Sequence, residues 1–90
     1  SDVYKRQSMV FTLPHTEGSL SQVLSILSFY HINLTKIQSL PIIGREWEYQ
    51  FYVDVAFNAY VRFKQAIAAI SPLTKELKIL GEYAEGKSNV

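Results

Sequence analysis

Residues 47–57 alternate between large apolar and mostly polar side chains. The odd positions carry Trp, Tyr, Phe, Val, Val and Phe, whereas the even positions carry Glu, Gln, Tyr, Asp and Ala. A period of two residues is that of a β-strand, whose successive side chains point to opposite faces of the sheet. The pattern predicts a half-buried strand whose acidic even positions face solvent. Core packing beneath helices is the simplest interpretation of Trp47, Tyr49 and Phe51, and it is preferred for the last two.

A helical period follows a short polar loop nearer the N-terminus. Pro14, Thr16 and Gly18 are turn formers or helix breakers. After them apolar residues recur at spacings of three and four, which predicts an amphipathic helix from about Ser19 to Tyr30; the stripe consists of Leu20, Val23, Leu24, Ile26 and Leu27. Thr16 or Ser19 is expected to cap its first turn. The free N–H groups at this helix start favour a small anion such as a carboxylate.

The remaining apolar patterns complete a six-element order. They predict strands over 8–13, 33–40 and 77–83, a hairpin loop over 42–46, and a second helix. Asn58 is the expected N-cap of that helix, which ends near Ser71-Pro72; its stripe is Val61 or Tyr60, with Phe63, Ile67 and Ile70. The order βαββαβ predicts an α+β, ferredoxin-like sandwich, in which two helices cover one face of a four-stranded antiparallel sheet.

The chain length sets the domain organisation. Ninety residues fit one small domain, which we expect to span 8–83. Residues 1–7 lack the apolar segment of a signal peptide and are expected to be a linker or a remnant outside the domain. The polar residues 84–90 are expected to form a flexible tail. The sequence also has no apolar run long enough to predict a membrane span.

Composition and charge exclude several classes of function. A hydrophobic share of 48% with 13% aromatic residues excludes a disordered chain. The net charge of +1 gives no field that favours nucleic acid or an anionic membrane as a partner. Because the sequence has no cysteine, a disulfide framework, a thiol nucleophile and a thiolate metal site are excluded. We expect a protein of the reducing cytoplasm.

The sequence offers little for catalysis, metal binding or phosphate binding. The two histidines are His15 and His31, and no serine lies in a nucleophile-elbow motif. His15, Glu17 and His31 do not have the spacing of a known metal site. The four glycines stand alone and do not form a phosphate-binding loop. We therefore expect neither a catalytic residue, nor a metal, nor a cofactor.

An RNA-recognition module has the same βαββαβ order and is the main alternative on fold alone. Residues 49–53 superficially resemble the aromatic third-strand motif that stacks RNA bases. The basic and glycine residues that open that motif are absent here. Glu48 and Asp54 flank the aromatic residues on the exposed face, where they would repel phosphates. The sequence therefore disfavours RNA as a partner.

Four segments, taken together, resemble the ACT domain that follows the catalytic region of prephenate dehydratase. They are Phe11-Thr12-Leu13-Pro14-His15 with Gly18 and Leu20, Ile32-Asn33-Leu34-Thr35-Lys36-Ile37, Trp47-Glu48-Tyr49-Gln50-Phe51-Tyr52-Val53-Asp54, and Leu80-Gly81-Glu82-Tyr83. They follow the family's order and spacing over residues 8–83. That enzyme is a lyase that decarboxylates and dehydrates prephenate to phenylpyruvate on the route to phenylalanine. The resemblance implies the ACT version of the ferredoxin-like fold.

In that family the domain binds L-phenylalanine at the interface of two ACT domains. The resemblance assigns the ligand-binding positions to three segments, the first loop, the start of the second strand and its end; they are His15, Glu17, Gly18, Ser19, Leu20, Asn33, Leu34, Gln38, Ser39, Leu40 and Pro41. The sequence departs from the family at four of them. Gln38 replaces an acid and Leu40 replaces an arginine, while Glu17 and Ser19 stand where proline and alanine are usual. Both members of a charged pair are thus replaced together, which leaves no unpaired charge.

The resemblance implies a non-catalytic regulatory domain of a prephenate dehydratase, forming a homodimer and binding L-phenylalanine between protomers. Elementary chemistry agrees, since loop N–H groups suit a carboxylate, and the Asn33 side chain with nearby carbonyls suits an ammonium. Leu20 and Leu34 would supply apolar walls. Asn33 is equally a common turn residue after a helix, and His15 is either a loop hydrogen-bonder or a pocket residue. Two alternative interpretations stay open. The chain could be a dimerisation module that binds no ligand, or an ACT domain that senses another amino acid and is attached to a different metabolic enzyme.

Overall fold

A computed structural model describes residues 4–45 and 47–82 of the protein. These residues form six main elements and one short 3₁₀ turn; they are β1 (Lys5–Pro14), α1 (Ser19–Phe29), β2 (Asn33–Pro41), β3 (Glu48–Phe57), α2 (Tyr60–Ile70), the turn Ser71–Leu73 and β4 (Lys75–Glu82). The strands make one sheet in the order β2-β3-β1-β4, and each neighbouring pair is antiparallel. The predicted βαββαβ fold is confirmed. Within this part of the chain, no helix is long and apolar enough to cross a membrane.

The core lies between the two helices and one face of the sheet. It consists of odd-numbered residues of β1 and β3, closed by apolar side chains of α1 and α2; its fully buried members include Met9, Phe11, Leu13, Val23, Leu27, Val53, Val55, Phe57, Ala66 and Ile70. The Phe57 and Phe63 rings stack with centroids 4.6 Å apart and planes 6° from parallel. We call this side of the sheet the helix face and the other side the open face.

The first and last strands begin earlier than predicted. Residues 5–7 belong to β1, and they pair in register with residues 55–57 of β3. The prediction of a linker over 1–7 is therefore wrong for residues 5–7, because ladder pairing extends a strand through side chains that are polar. β4 begins at Lys75, two residues before the predicted start. Tyr83 and the predicted tail over 84–90 lie outside the described residues.

Both helices begin without the predicted side-chain caps. The N-cap of α1 is Gly18, in the left-handed conformation with φ of 85°, and the N-cap of α2 is Ala59 rather than Asn58. The Ser19 hydroxyl donates to the carbonyls of Pro14 and Thr16, and no side chain caps the start of α1. The predicted caps by Thr16 or Ser19 and by Asn58 are therefore wrong.

β3 begins one residue later than predicted. Trp47 has a φ of 69° and an exposure of 69%, so core packing is wrong for this residue. Phe51 is buried and Tyr49 packs against the core at its margin, as predicted for both. In α2 the exposed Tyr60 and Val61 do not join the apolar stripe.

Candidate functional site

The first loop, residues 14–18, turns the chain from β1 into α1 and is held by its own backbone. The His15 N–H group donates to the Trp47 carbonyl, the Thr16 N–H group to Pro14 at 2.9 Å, and the Ser19 N–H group to Thr16 at 3.2 Å. Gly18 closes the turn with a positive φ that L-residues with a side chain rarely adopt. The loop is therefore a defined structure that fixes where α1 begins.

The first turn of α1 presents free backbone donors. The helical bonding begins with the Gln22 N–H group, which donates to the Gly18 carbonyl at 2.9 Å. The N–H groups of Leu20 and Ser21 precede it and have no backbone acceptor within the described chain. The first turn also carries no acidic residue. The partial positive charge of the helix start is thus open to a carboxylate.

These donors border a cleft of about 410 Å³ on the helix face, which we call the first-loop cleft. Its walls come from the first loop, the start of α1, the end of β2 and the start of β3; they are Pro14, His15, Thr16, Gly18, Ser19, Leu20, Ser21, Ser39, Tyr49 and Phe51. One side therefore carries hydroxyl and N–H groups, and the other side is apolar and aromatic. This combination suits a small molecule with a charged head and an apolar side chain.

A second cleft of about 680 Å³ lies beside the first, at the end of the β2–β3 hairpin. We call it the hairpin cleft; it is lined by His15, Pro41, Ile42, Gly44, Arg45, Trp47, Glu48 and Tyr49. The turn at its edge is closed by the Arg45 N–H group, which donates to the Ile42 carbonyl at 3.1 Å. The clefts meet at His15 and Tyr49, which line both.

Ion pairs tie this hairpin to the first residues of β4. Glu48 accepts from Lys75 at 2.7 Å and from Arg45 at 3.2 Å, and Arg45 also contacts Glu76 at 3.4 Å. The hydrogen bond from Lys75, assisted by the charges of Lys75 and Arg45, lowers the pKa of Glu48 below its ordinary value despite an opposing effect of burial. The network therefore stabilises the closed hairpin while Glu48 is ionised.

The end of β2 divides its predicted ligand-binding residues between the two faces. Ser39 pairs with Phe51 on the helix face and lines the first-loop cleft. Gln38 and Leu40 pair with Tyr52 and Gln50 and therefore lie on the open face, away from the cleft. Pro41 lines the hairpin cleft instead. Of the four motif residues predicted at this end, only Ser39 reaches the first-loop cleft.

Glu17 and the pair Asn33-Leu34 also lie away from the first-loop cleft. Glu17 is exposed on the outer side of the loop, against a different surface cleft. On β3, the partners of Asn33 and Pro14 are Ala56 and Glu48, eight positions apart. At about 3.3 Å for each strand residue, Asn33 lies about 26 Å along the sheet from the first loop. The predicted convergence of Asn33 and Gly18 does not occur within one chain, and a second copy would have to close the gap.

Tyr49 and Phe51 were predicted as core residues and not as walls of a ligand site. Both occupy odd positions of β3 and therefore face the helices, but the first turn of α1 leaves this end of the sheet open. The alternation of apolar residues in the sequence continues to Tyr49, past the part of the sheet that α1 covers. This continuation is the sequence feature that could have identified Tyr49 as an aromatic wall of a ligand site.

Comparison with known proteins identifies relatives of this chain, although no protein-family model matches it. A bifunctional chorismate mutase/prephenate dehydratase of Buchnera aphidicola subsp. Acyrthosiphon pisum is 37% identical over 81 residues, which cover 89% of this chain and 21% of that protein. The chain spans about one fifth of the length of the curated relatives that it matches first.

Solved structures with a similar fold include a prephenate dehydratase and an ACT domain. Prephenate dehydratase from Arthrobacter aurescens, solved in complex with L-Phe, is 26% identical with a TM-score of 0.76, over 90% of this chain and 27% of that chain. The ACT domain of a GTP pyrophosphokinase from Chlorobium tepidum is 8% identical with a TM-score of 0.69, over 87% of this chain and 100% of that one, and so shares the fold alone. The chain is therefore an ACT domain, and it closely resembles the C-terminal ACT region of prephenate dehydratases.

Proposed function

We propose that this chain is the non-catalytic regulatory module of a prephenate dehydratase, and that it binds L-phenylalanine between two copies for feedback control. The observation that carries the proposal is the first-loop cleft, where free N–H groups and aromatic walls border one small volume. The solved relative with bound L-Phe supports the same ligand class. A cytoplasmic location, as for a biosynthetic enzyme, is part of the proposal.

The cleft matches the two ends of an aromatic amino acid. The carboxylate would accept from the N–H groups of Leu20 and Ser21, which α1 leaves free. The side chain would pack between the Leu20 side chain and the rings of Tyr49 and Phe51, which line the same cleft. The ammonium group needs acceptors, and none of the residues that line the first-loop cleft of one chain carries a carboxylate. A second copy would complete that part of the site.

β2 is the element best suited to bring the second copy. It is an edge strand of the sheet, and eight of its nine residues are exposed. An open edge presents unpaired backbone N–H and C=O groups that pair readily with another strand. Ile37 adds an apolar side chain on the helix face, 38% exposed. Antiparallel pairing of β2 with its own copy would cover both features.

The pleat of β2 restricts how two copies can pair. Residues that lie opposite each other in paired strands point to the same face of the sheet. When β2 pairs with its own copy about a twofold axis perpendicular to the sheet, this condition holds only if the axis passes through one residue, which then lies opposite the same residue of the other copy. Pairing about Ile37 satisfies this rule and sets Lys36 opposite Gln38, without facing like charges. The register shift between Leu34 and Lys36 then sets Leu34 of one copy opposite Ser39 of the other.

This arrangement would close the gap between the two halves of the site. Leu34 and Ser39 both lie on the helix face, since they pair with Val55 and Phe51 of β3. Leu34 of one copy would therefore become an apolar wall of the other copy's first-loop cleft. The Asn33 side chain lies on the open face, because Asn33 pairs with Ala56. We accordingly assign the ammonium to backbone carbonyls near Asn33 rather than to its amide.

Regulation then follows from linkage. A ligand held by two copies binds one arrangement of the pair better than another, and it shifts the catalytic equilibrium by that difference in affinity alone. Such coupling free energies are commonly about 1 to 3 kcal/mol. The module therefore needs no chemistry of its own, because its output is the relative position of the two copies.

Calorimetric titration with L-phenylalanine tests the proposal, with D-phenylalanine as the stereochemical control. We expect saturable heat for the L-isomer at millimolar concentration or below, with one ligand bound per chain. Leu34→Ala is expected to weaken binding, whereas Ile79→Ala on the opposite edge strand β4 is its matched control and is expected to bind as the unaltered chain does. A folded dimer that gives no heat with any aromatic amino acid would instead be a ligand-free dimerisation module.

A further inference from the structure

The first-loop cleft and the hairpin cleft share two lining residues, His15 and Tyr49. The His15 ring contacts the Tyr49 ring in a tilted arrangement, with centroids 4.9 Å apart and planes at 35° to each other. The clefts have volumes of about 410 Å³ and about 680 Å³, and the imidazole ring lies where their linings meet.

The position of His15 is fixed by three contacts. Its N–H group donates to the Trp47 carbonyl across the loop. Its ring lies 6.0 Å from the Trp47 ring, tilted by 32°, in addition to the contact with Tyr49. These contacts hold the exposed His15 side chain between the first-loop cleft and the hairpin cleft, and we call this ring the partition.

The far side of the partition is suited to an aromatic group. The hairpin cleft carries the apolar surfaces of Ile42 and Trp47, and Trp47 is 69% exposed. Exposed apolar surface gains from being covered by an apolar group. A ligand side chain longer than one ring could bury apolar surface against Ile42 and Trp47 in the hairpin cleft. The His15 ring would block its way from the first-loop cleft.

We propose that the His15 ring is the stop that sets the length of side chain accepted by the amino-acid site. The site takes a single six-membered ring between Leu20, Phe51 and Tyr49, and it rejects a side chain extended at the para position. The inference rests on the proposed function, since it concerns the same site. It assigns to His15 a role in specificity through shape, one of the two roles that the sequence left open.

Two ligands and two variants test the proposal in the 90-residue chain. The ligands are L-phenylalanine and 4-phenyl-L-phenylalanine, which carries a second ring at the para position. His15→Ala removes the partition, whereas His15→Phe keeps a ring there and is the matched control. Dissociation constants come from calorimetry. Trp47 is the only tryptophan of the chain, and its fluorescence reports whether a ligand enters the hairpin cleft.

We expect the unaltered chain and His15→Phe to prefer L-phenylalanine, each by at least about tenfold. In His15→Ala the ratio of the two dissociation constants should fall by at least about tenfold, and Trp47 fluorescence should respond to the extended ligand. An unchanged ratio in His15→Ala, or loss of both ligands by that variant, would overturn the proposal. If the unaltered chain bound neither ligand, the proposed function would fail with it. Thermal denaturation of each variant confirms folding.

Discussion

Replacing Gly18 by alanine isolates the backbone conformation that begins α1. Gly18 has a φ of +85°, and a Cβ atom built there meets no atom within 4 Å. The substitution therefore introduces strain without a clash. The left-handed conformation costs an L-residue about 1 to 2 kcal/mol. Alanine also restricts the unfolded chain, which returns about 0.4 to 1 kcal/mol. We expect a net loss of about 1 kcal/mol in the free energy of unfolding.

Gly44→Ala is the matched control for this substitution. Gly44 has the same φ of +85° and the same open space around a Cβ atom, but it lies in the hairpin and not in the first-loop cleft. Both variants should lose similar stability, whereas only Gly18→Ala should also weaken L-phenylalanine binding. Gly18→Asn should recover part of the lost stability, because asparagine tolerates the left-handed region.

Thermal and chemical denaturation, followed by circular dichroism, measure this effect. For a domain of this size, 1 kcal/mol corresponds to a fall in Tm of about 4 to 8 °C. The reasoning would be refuted if Gly18→Ala were as stable as the unaltered chain. It would also be refuted if the two glycine variants differed by more than about 1 kcal/mol, since the same strain is assigned to both.

Three further substitutions test the core, the ion pairs and the edge strand. Phe63→Ala removes a buried ring stacked on Phe57 and should cost about 3 to 5 kcal/mol in chemical denaturation; a loss below about 1 kcal/mol would contradict the packing. The ion pairs of Glu48 lower its pKa in the folded state, so their stabilisation is complete above the ordinary carboxyl range and is lost as pH falls through the lowered pKa. The difference in Tm between the unaltered chain and Glu48→Gln should therefore shrink on acidification, and a difference that grew would contradict that sign. Ile37→Lys would face its own copy across the proposed twofold axis and should give monomers in sedimentation; an intact dimer would exclude pairing about Ile37.

The regular parts of the fold were predictable because one periodicity dominates them. The alternation of β3 identified Phe51 as a buried residue, and the apolar stripe of α1 identified Val23 and Leu27. Local sequence failed where a partner strand decides the structure. Residues 5–7 are polar, yet pairing with β3 makes them a strand. Trp47 continues the alternation, but its positive φ takes it out of the strand.

The sequence predicted the first loop as part of the candidate site but not which other segments lie beside it. The direction of the strands in the sheet decides which segments lie close together. β1 and β2 are both antiparallel to β3 and hence run in the same direction. The start of β2, with Asn33, therefore lies at the opposite end of the sheet from the loop that follows β1. The pleat likewise separates Ser39 from Gln38 and Leu40, although they are neighbours in sequence. Assigning motif residues to one site requires these directions as well as the motifs.

The central claim is that one amino-acid site is shared by two copies of the chain, and isotope-filtered NMR of a mixed dimer tests it most directly. Copies labelled at leucine methyl groups would be combined with unlabelled copies and L-phenylalanine. We predict cross-peaks between the Leu34 methyl groups of one copy and both the bound ligand and the Ser39 side chain of the other. A saturated complex in which Leu34 shows no contact between copies would contradict the claim.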